Sequence, residues 1–279
     1  MPALTSTRRV PILMYHSISS HATDRFKRFT VPSALFDDQV AYMQRNGYTS
    51  MTVTQYRNVI TQGAMLPERP VILTFDDGFA DFYSDALPVL RRHNFVATLY
   101  VTTSFVNGTS RWLRREGETE RPMLNWDQLK EITAYGIECG AHTHCHSQLD
   151  TLSAQSAKME IIQSKLLLEH HLGLTVESFA YPYGYYTARV KRQVKEAGYT
   201  SACAVKHAMS EVTGDPFILA RQTVTAQTDI NALEALLTGR NVSVTKGMFA
   251  RLSVPLWRWA RHGAASFTRL FPVERQVVR

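Results

Sequence analysis

The chain is 279 residues long, 44% hydrophobic and 20% charged, an ordinary globular composition that gives one large domain, or one domain with an appendage. No stretch approaches the ~20 apolar residues of a membrane span, and three cysteines (Cys139, Cys145, Cys203) form no framework for a disulfide-stapled fold. The net charge of +7 sits in residues 240–279, where eight basic residues face only Glu274, while the other 23 basic and 23 acidic residues cancel.

In chain order, Val10-Pro11-Ile12-Leu13-Met14-Tyr15-His16 reads as a short apolar strand ending on a histidine. Residues 33–45 read as a helix capped by Ser33, with Leu35, Phe36, Val40 and Met43 as its apolar face and Asn46-Gly47 as its end. A strand is expected over 48–53 and a helix over 54–62. The run Val71-Ile72-Leu73-Thr74-Phe75-Asp76-Asp77-Gly78 is a buried strand that meets two adjacent carboxylates and stops at a glycine. A helix over 83–93 and a strand over 97–101 follow. Residues 104–121 are polar and Arg-rich, which suggests a surface loop beside a site. A helix over 126–134 leads to a strand at 136–139 and then to Gly140-Ala141-His142-Thr143-His144-Cys145-His146. The clearest helix covers 153–171, with Met159, Ile162, Leu166, Leu167 and Leu172 at core spacing. A strand over 178–181 meets Pro182-Tyr183-Gly184, followed by a helix over 187–197 and strands over 201–205 and 219–224, the last carrying Arg221. Strands alternating with helices argue for a parallel sheet with its chemistry at the strand C-termini, as in (β/α) barrels; a doubly wound sheet is the alternative.

Two acids at the end of an apolar strand are costly without compensation. They repel, and burial raises their pKa values, so a bound cation or a carboxylate serving as a base is the usual solution. Asp-Gly after a strand is also ordinary turn chemistry, and the histidine cluster is what shifts the balance. His142 and His146 stand at the i, i+4 spacing that puts two imidazoles on one side of a helical turn. One carboxylate with two imidazoles is a recurrent divalent-metal set that leaves positions open for water and substrate. Spacing leaves His144 open as a spare ligand, a group steadying a ligand, or a surface residue.

Thr74-Phe75-Asp76-Asp77-Gly78 and the pair His142-Thr143 and His146 resemble the first two motifs of the polysaccharide deacetylases, the NodB-homology or carbohydrate esterase 4 family, over about residues 10–224. The resemblance implies a distorted (β/α)7 barrel, drawn over residues 1–239, that removes N-acetyl groups from glycans. It implies that Asp77, His142 and His146 hold a divalent metal, zinc by expectation, and that Asp76 is the general base. The slot of Cys145 is variable in the family pattern, which sets it aside as a ligand. Ala180-Tyr181-Pro182-Tyr183-Gly184 is similar to the third motif, Arg-x-Pro-Tyr-Gly, with the arginine replaced by Ala180. In the family that arginine orients the base, while the backbone N–H of the motif tyrosine, here Tyr183, helps stabilise the oxyanion. Arg221 is the candidate for the orienting role, weighed against a surface arginine. The histidine acid of a C-terminal Leu-His motif is missing from the last third of the chain. His16 is the candidate in its place, because the first and last strands of a closed barrel are neighbours. Subgroups that deacetylate exopolysaccharide, with Met-Tyr-His near the start, resemble this arrangement.

The expected activity is metal-dependent removal of N-acetyl groups from an amino-sugar polysaccharide or glycan intermediate. Deacylation of a small amide or a formylated lipid-linked sugar is the second reading, and a carbohydrate-binding protein that lost turnover is the third. Tyr15, Trp112, Trp126, Tyr185 and Tyr186 either face sugar rings or lie in the core. Nucleic acid is disfavoured, because the body is charge-neutral and the tail mixes arginines with tryptophans and leucines. Residues 248–262 read as a basic amphipathic helix, with Arg251, Arg258, Arg261 and His262 opposite Met248, Phe249, Leu252, Leu256, Trp257 and Trp259. That helix either docks on the barrel or meets an anionic lipid surface. Residues 1–9 carry no secretory pattern, so the chain is expected in the cytoplasm, peripheral to the inner membrane where the tail binds lipid.

Overall fold

Among the described residues eight parallel strands build the central sheet: β1 (Ile12–Tyr15), β2 (Thr49–Met51), β3 (Pro70–Phe75), β4 (Thr98–Val101), β5 (Glu138–Ala141), β6 (Ser178–Ala180), β7 (Ser201–Val205) and β8 (Leu219–Thr223). The computed structural model describes residues 9–240. The tail over 241–279, with the expected amphipathic helix at 248–262, lies outside the described residues. So does the start of the 1–239 domain.

Closure decides between the two expected topologies. β1 pairs with β8 on one side, Leu13 opposite Gln222, and with β3 on the other, Leu13 opposite Leu73. Seven parallel strands therefore form a closed barrel, and β2 adds to β3 as an eighth. A doubly wound open sheet is excluded by the β1–β3 pairing.

Alternation along the strands sorts the core into two layers. Leu13, Leu73, Phe75, Leu99 and Phe179 join residues of the surrounding helices in the larger hydrophobic cluster. Ile12, Ile72, Tyr100, Ala180, Cys203 and Leu219 form a second cluster inside the barrel, stoppered by Val53, Tyr56 and Val59 of the helix Val53–Gln62. Every residue of β3 is buried, as a strand covered on both faces requires. The same two-residue period that puts Ile72 inside also puts Thr74 and Asp76 inside, and it places Arg221 inside with Leu219. Gly140 is needed beside this filling, because a Cβ there would lie 2.6 Å from the Tyr100 ring and from Ser178 Oγ.

Among the described residues seven α-helices follow: α1 (Ser33–Arg45), α2 (Val53–Gln62), α3 (Leu87–Arg92), α4 (Trp126–Ala134), α5 (Ala154–Leu172), α6 (Ala188–Glu196) and α7 (Ile230–Thr238). Three sequence expectations need correction. Pro32, not Ser33, is the residue before α1, and no side-chain cap bond is made there; proline's fixed φ, here −57°, turns the chain into the helix one residue early. The helix expected over 83–93 opens with a π turn at Phe82–Ala86 that runs directly into a short α3, with Pro88 in the first turn of the latter. On α5 the buried residues are Ala157, Ile161, Ser164 and Leu168, whereas Met159 and Leu166 are 51% and 59% exposed. With leucine at three consecutive positions, 166–168, apolar content alone does not select the buried face. No helix among the described residues is long and apolar enough to cross a membrane.

Candidate active site

Asp76 and Asp77 lie at the C-terminal end of β3 and separate at once. Asp76 continues the strand, its N–H bonded to the Tyr15 carbonyl at 3.0 Å, and its carboxylate enters the barrel. Asp77 takes a left-handed backbone conformation, φ 79°, which turns the chain and directs its carboxylate to the two histidines instead. Both acids are buried, at 3% and 4% exposure.

The histidine cluster is a loop and not the helical turn that i, i+4 spacing suggested. Thr143 and His146 both have positive φ, 67° and 55°, so the chain folds back twice within five residues. Backbone bonds from Thr103 N–H to the Thr143 carbonyl (3.3 Å) and from Ser104 N–H to the His144 carbonyl (2.9 Å) hold it from one side. From the other, Glu160 on α5 accepts from the Cys145 N–H at 2.7 Å and the Ser147 hydroxyl at 3.1 Å. These anchors place the His142 and His146 rings 5.0 Å apart.

Asp77 Oδ1 lies 3.2 Å from His146 Nε2 and 3.7 Å from His142 Nε2, and one ligand atom from each of the three residues falls within 4.8 Å of the others. His142 Nδ1 sits 2.9 Å from the Ala180 carbonyl, so this nitrogen donates and Nε2 is left with its lone pair toward Asp77. Asp77 Oδ1 is buried without a hydrogen bond among the described residues. A buried carboxylate oxygen lacking a donor, with two imidazole nitrogens beside it, fits a divalent cation. His144 turns away, its Nδ1 2.9 Å from Thr103 Oγ1, so of its three alternatives it steadies the ligand loop. Cys145 is exposed and stands outside the three-residue group.

Arg221 is fully buried, which ends its reading as a surface residue. Its Nη1 and Nη2 donate to the two Asp76 oxygens at 2.6 and 2.8 Å in a bidentate fork, and Nη1 also reaches Thr74 Oγ1 at 3.2 Å. The guanidinium lies over the Tyr100 ring at 5.5 Å. Burial pushes Asp76 upward, but the Arg221 guanidinium overrides it and holds the carboxyl well below the usual range. Asp77 is likewise lowered, burial being overcome by His146. Burial lowers His142 to about 4, Asp76 opposing the shift. It lowers His16 as well, against the pull of Asp77 and then Asp76.

His16 follows β1 and faces the same centre, and its ring packs on Phe29 at 5.0 Å. Tyr183 adopts φ 58° and ψ 4° in a tight turn, with its ring 4.9 Å from that of His146. Gly184 must be glycine: at φ 74° a Cβ would meet the Val205 backbone nitrogen at 2.6 Å. Of the five aromatics weighed for sugar contact, Trp112 packs 5.4 Å from His146 and Tyr185 stacks on Tyr183 at the rim. Tyr15 is buried in the core, Trp126 stacks on His171, and Tyr186 packs on Tyr181.

The polysaccharide deacetylase family profile matches residues 64–202. YxkH of Bacillus subtilis, itself assigned to the polysaccharide deacetylases, is 30% identical over 191 residues, spanning 68% of this chain and 62% of that protein. The chain belongs to the polysaccharide deacetylases. The poly-beta-1,6-N-acetyl-D-glucosamine N-deacetylase of Escherichia coli K12 is 22% identical over 218 residues, 67% of this chain and 32% of that protein. The chain thus spans less than two thirds of either curated relative. The solved Streptococcus pyogenes deacetylase PplD, in complex with acetate, superposes with a TM-score of 0.72 at 24% identity, over 83% of this chain and 99% of its own, a likeness of fold.

In this member of the family the departure at Ala180 is matched by two geometric facts. The guanidinium beside Asp76 comes from β8, and the main chain at position 180 still contributes, through the carbonyl that receives His142 Nδ1. The first was legible as a candidate in the sequence. The second carries no side-chain signal and was missed, as were Glu160 and Thr103, whose roles depend on loop geometry.

Proposed function

We propose that the chain is a metal-dependent hydrolase that removes N-acetyl groups from an amino-sugar polysaccharide. The observation that carries this reading is the pairing of two differently held carboxylates. Asp76 is clamped by Arg221 inside the barrel, and Asp77 is left to His142 and His146 at its mouth. Relatives named as a polysaccharide deacetylase and as a poly-beta-1,6-N-acetyl-D-glucosamine N-deacetylase support it.

Asp77, His142 and His146 would hold the ion, for which we propose zinc on the basis of its nitrogen and oxygen donors. Such an ion supplies Lewis-acid polarisation of a carbonyl and acidification of a water. Asp76 takes the proton of the attacking water; with the Arg221 guanidinium holding its carboxyl below the usual range, it is ionised at neutral pH and free to accept that proton. Arg221 fixes its two oxygens. The Tyr183 backbone N–H faces the developing oxyanion, a contribution of ~2.7 to 4 kcal/mol for such a donor. His16 protonates the departing amine.

Turnover of N-acetylated oligosaccharides, followed as acetate release with and without chelator, tests the activity. Asp76→Asn is expected to retain bound metal and lose turnover, whereas His142→Ala and His146→Ala lose both. Purification of Asp76→Asn without metal, beside a loaded His146→Ala, would reverse the assignment. From sequence alone we further infer that residues 248–262 hold the chain, as a cytoplasmic protein, peripherally on an anionic membrane. Co-sedimentation with anionic vesicles that is insensitive to truncation after Gly239 would remove that inference.

A further inference from the structure

Among the described residues no side-chain bond holds the His16 ring. Its Nδ1 is buried without a hydrogen-bond partner among the described residues, and the ring rests on Phe29. A general acid must be aimed at one nitrogen of the substrate, so its direction has to come from the chain that carries it. The next residue is where that chain is fixed. Ser17 Oγ donates to Asp81 Oδ2 at 2.6 Å and the Ile18 N–H donates to Asp81 Oδ1 at 3.3 Å.

Asp81 is in turn held by Arg121, from the far end of the Arg-rich loop. Arg121 Nη1 donates to Asp81 Oδ2 at 3.3 Å and to Ser17 Oγ at 3.1 Å, while Nη2 donates to the His21 carbonyl at 2.8 Å. Its Nε reaches Glu118 Oε2 at 3.2 Å, and Glu118 Oε1 accepts the Thr23 N–H at 2.6 Å. The guanidinium packs against Phe26 at 4.9 Å and Phe79 at 5.7 Å, and its side chain is 9% exposed. One cation therefore ties the segment after His16 to the loop whose Trp112 packs on His146. Exposed ion pairs contribute little, but a nearly buried guanidinium with two carboxylates, a hydroxyl and a carbonyl is a fixed point.

We propose that Arg121 and Asp81 are positioning residues that aim His16 at the leaving group. This rests on the reading of His16 as the acid. In amide hydrolysis the water oxygen bonds to the carbonyl carbon, Asp76 receives the water proton, and the C–N bond breaks as the nitrogen takes a proton from His16. An aryl ester differs at the last step alone, since 4-nitrophenolate leaves with its electron pair and without a proton.

The test compares kcat on an N-acetylglucosamine oligomer and on 4-nitrophenyl acetate with metal-loaded protein. Arg121→Ala is expected to lower kcat on the oligomer by about 10-fold or more, with a much smaller fall on the ester and little change in KM. Asp81→Asn, which keeps shape and removes charge, is expected to show the same split and carries the test where Arg121→Ala does not fold. His16→Ala provides the reference, with a larger split of roughly 10² to 10⁴. Equal losses on both substrates in Asp81→Asn, beside a split in His16→Ala, overturn the positioning role alone. Absence of a split in His16→Ala overturns the acid assignment and this inference with it.

Discussion

Asp76 and Arg221 show how much one buried pair decides. The two residues are 3% and 0% exposed, so neither charge is solvated and each depends on the other. Breaking such a pair typically costs about 3–5 kcal/mol, because the remaining charge is stranded. Arg221→Met is therefore expected to lower the unfolding free energy by roughly that amount and to abolish turnover. Arg221→Lys keeps the charge but loses the fork, and is expected to recover part of the stability and little of the rate. Urea unfolding together with acetate release checks both; a fully active Arg221→Met would show that Asp76 needs no orienting partner. The residues of this site were legible in the sequence where side-chain chemistry marks them: Asp76, Asp77, His142, His146 and His16. Arg221 was readable as a candidate because its strand ends at the same rim. The Ala180 carbonyl was not, since any residue supplies one, and neither was the loop geometry of His142 to His146, which depends on positive φ at Thr143 and His146.

Among the elements, strands were easier to place than helix faces. β7 and α4 fall at their expected bounds, the latter because Asn125 and Gln128 form a reciprocal cap at its start. For α5 the length was legible and the buried side was not. Its burial follows Ala157, Ile161, Ser164 and Leu168, spaced four, three and four residues apart, and two of these are small or polar. Packing against β5 and α6 selects that side, a tertiary effect that local hydrophobicity does not report. Ile161→Ala is accordingly expected to destabilise by about 2–5 kcal/mol, whereas Leu166→Ala should stay within roughly 0.5 kcal/mol. Denaturant midpoints of the two variants measure this; a larger loss for Leu166→Ala would restore the face suggested by the sequence.

At the scale of the molecule, barrel closure converts sequence distance into contact. It brings His16 from the first strand and Arg221 from the last beside the acids of β3, and it buries titratable groups around a space that fits a cation. That burial has a consequence for stability. Folded His142 is neutral down to about 4, whereas an unfolded histidine takes up a proton near 6.5. Between these values the unfolded chain binds more protons than the folded one, so stability falls as pH falls. A gap of this size corresponds to at most about 3.5 kcal/mol. Asp76 and Asp77, both held below the ordinary carboxylate value, add a further loss below about pH 4, where the unfolded acids protonate first. Divalent metal, which binds only neutral imidazole, should steepen the dependence over the same window. Urea unfolding of chelator-treated protein at pH 7, 5.5 and 4.5, beside His142→Asn, separates the contributions. The native chain is expected to lose stability steadily from pH 7 to 4.5 and the variant to lose distinctly less. Equal pH dependence in the two proteins would mean that His142 is not held neutral by burial.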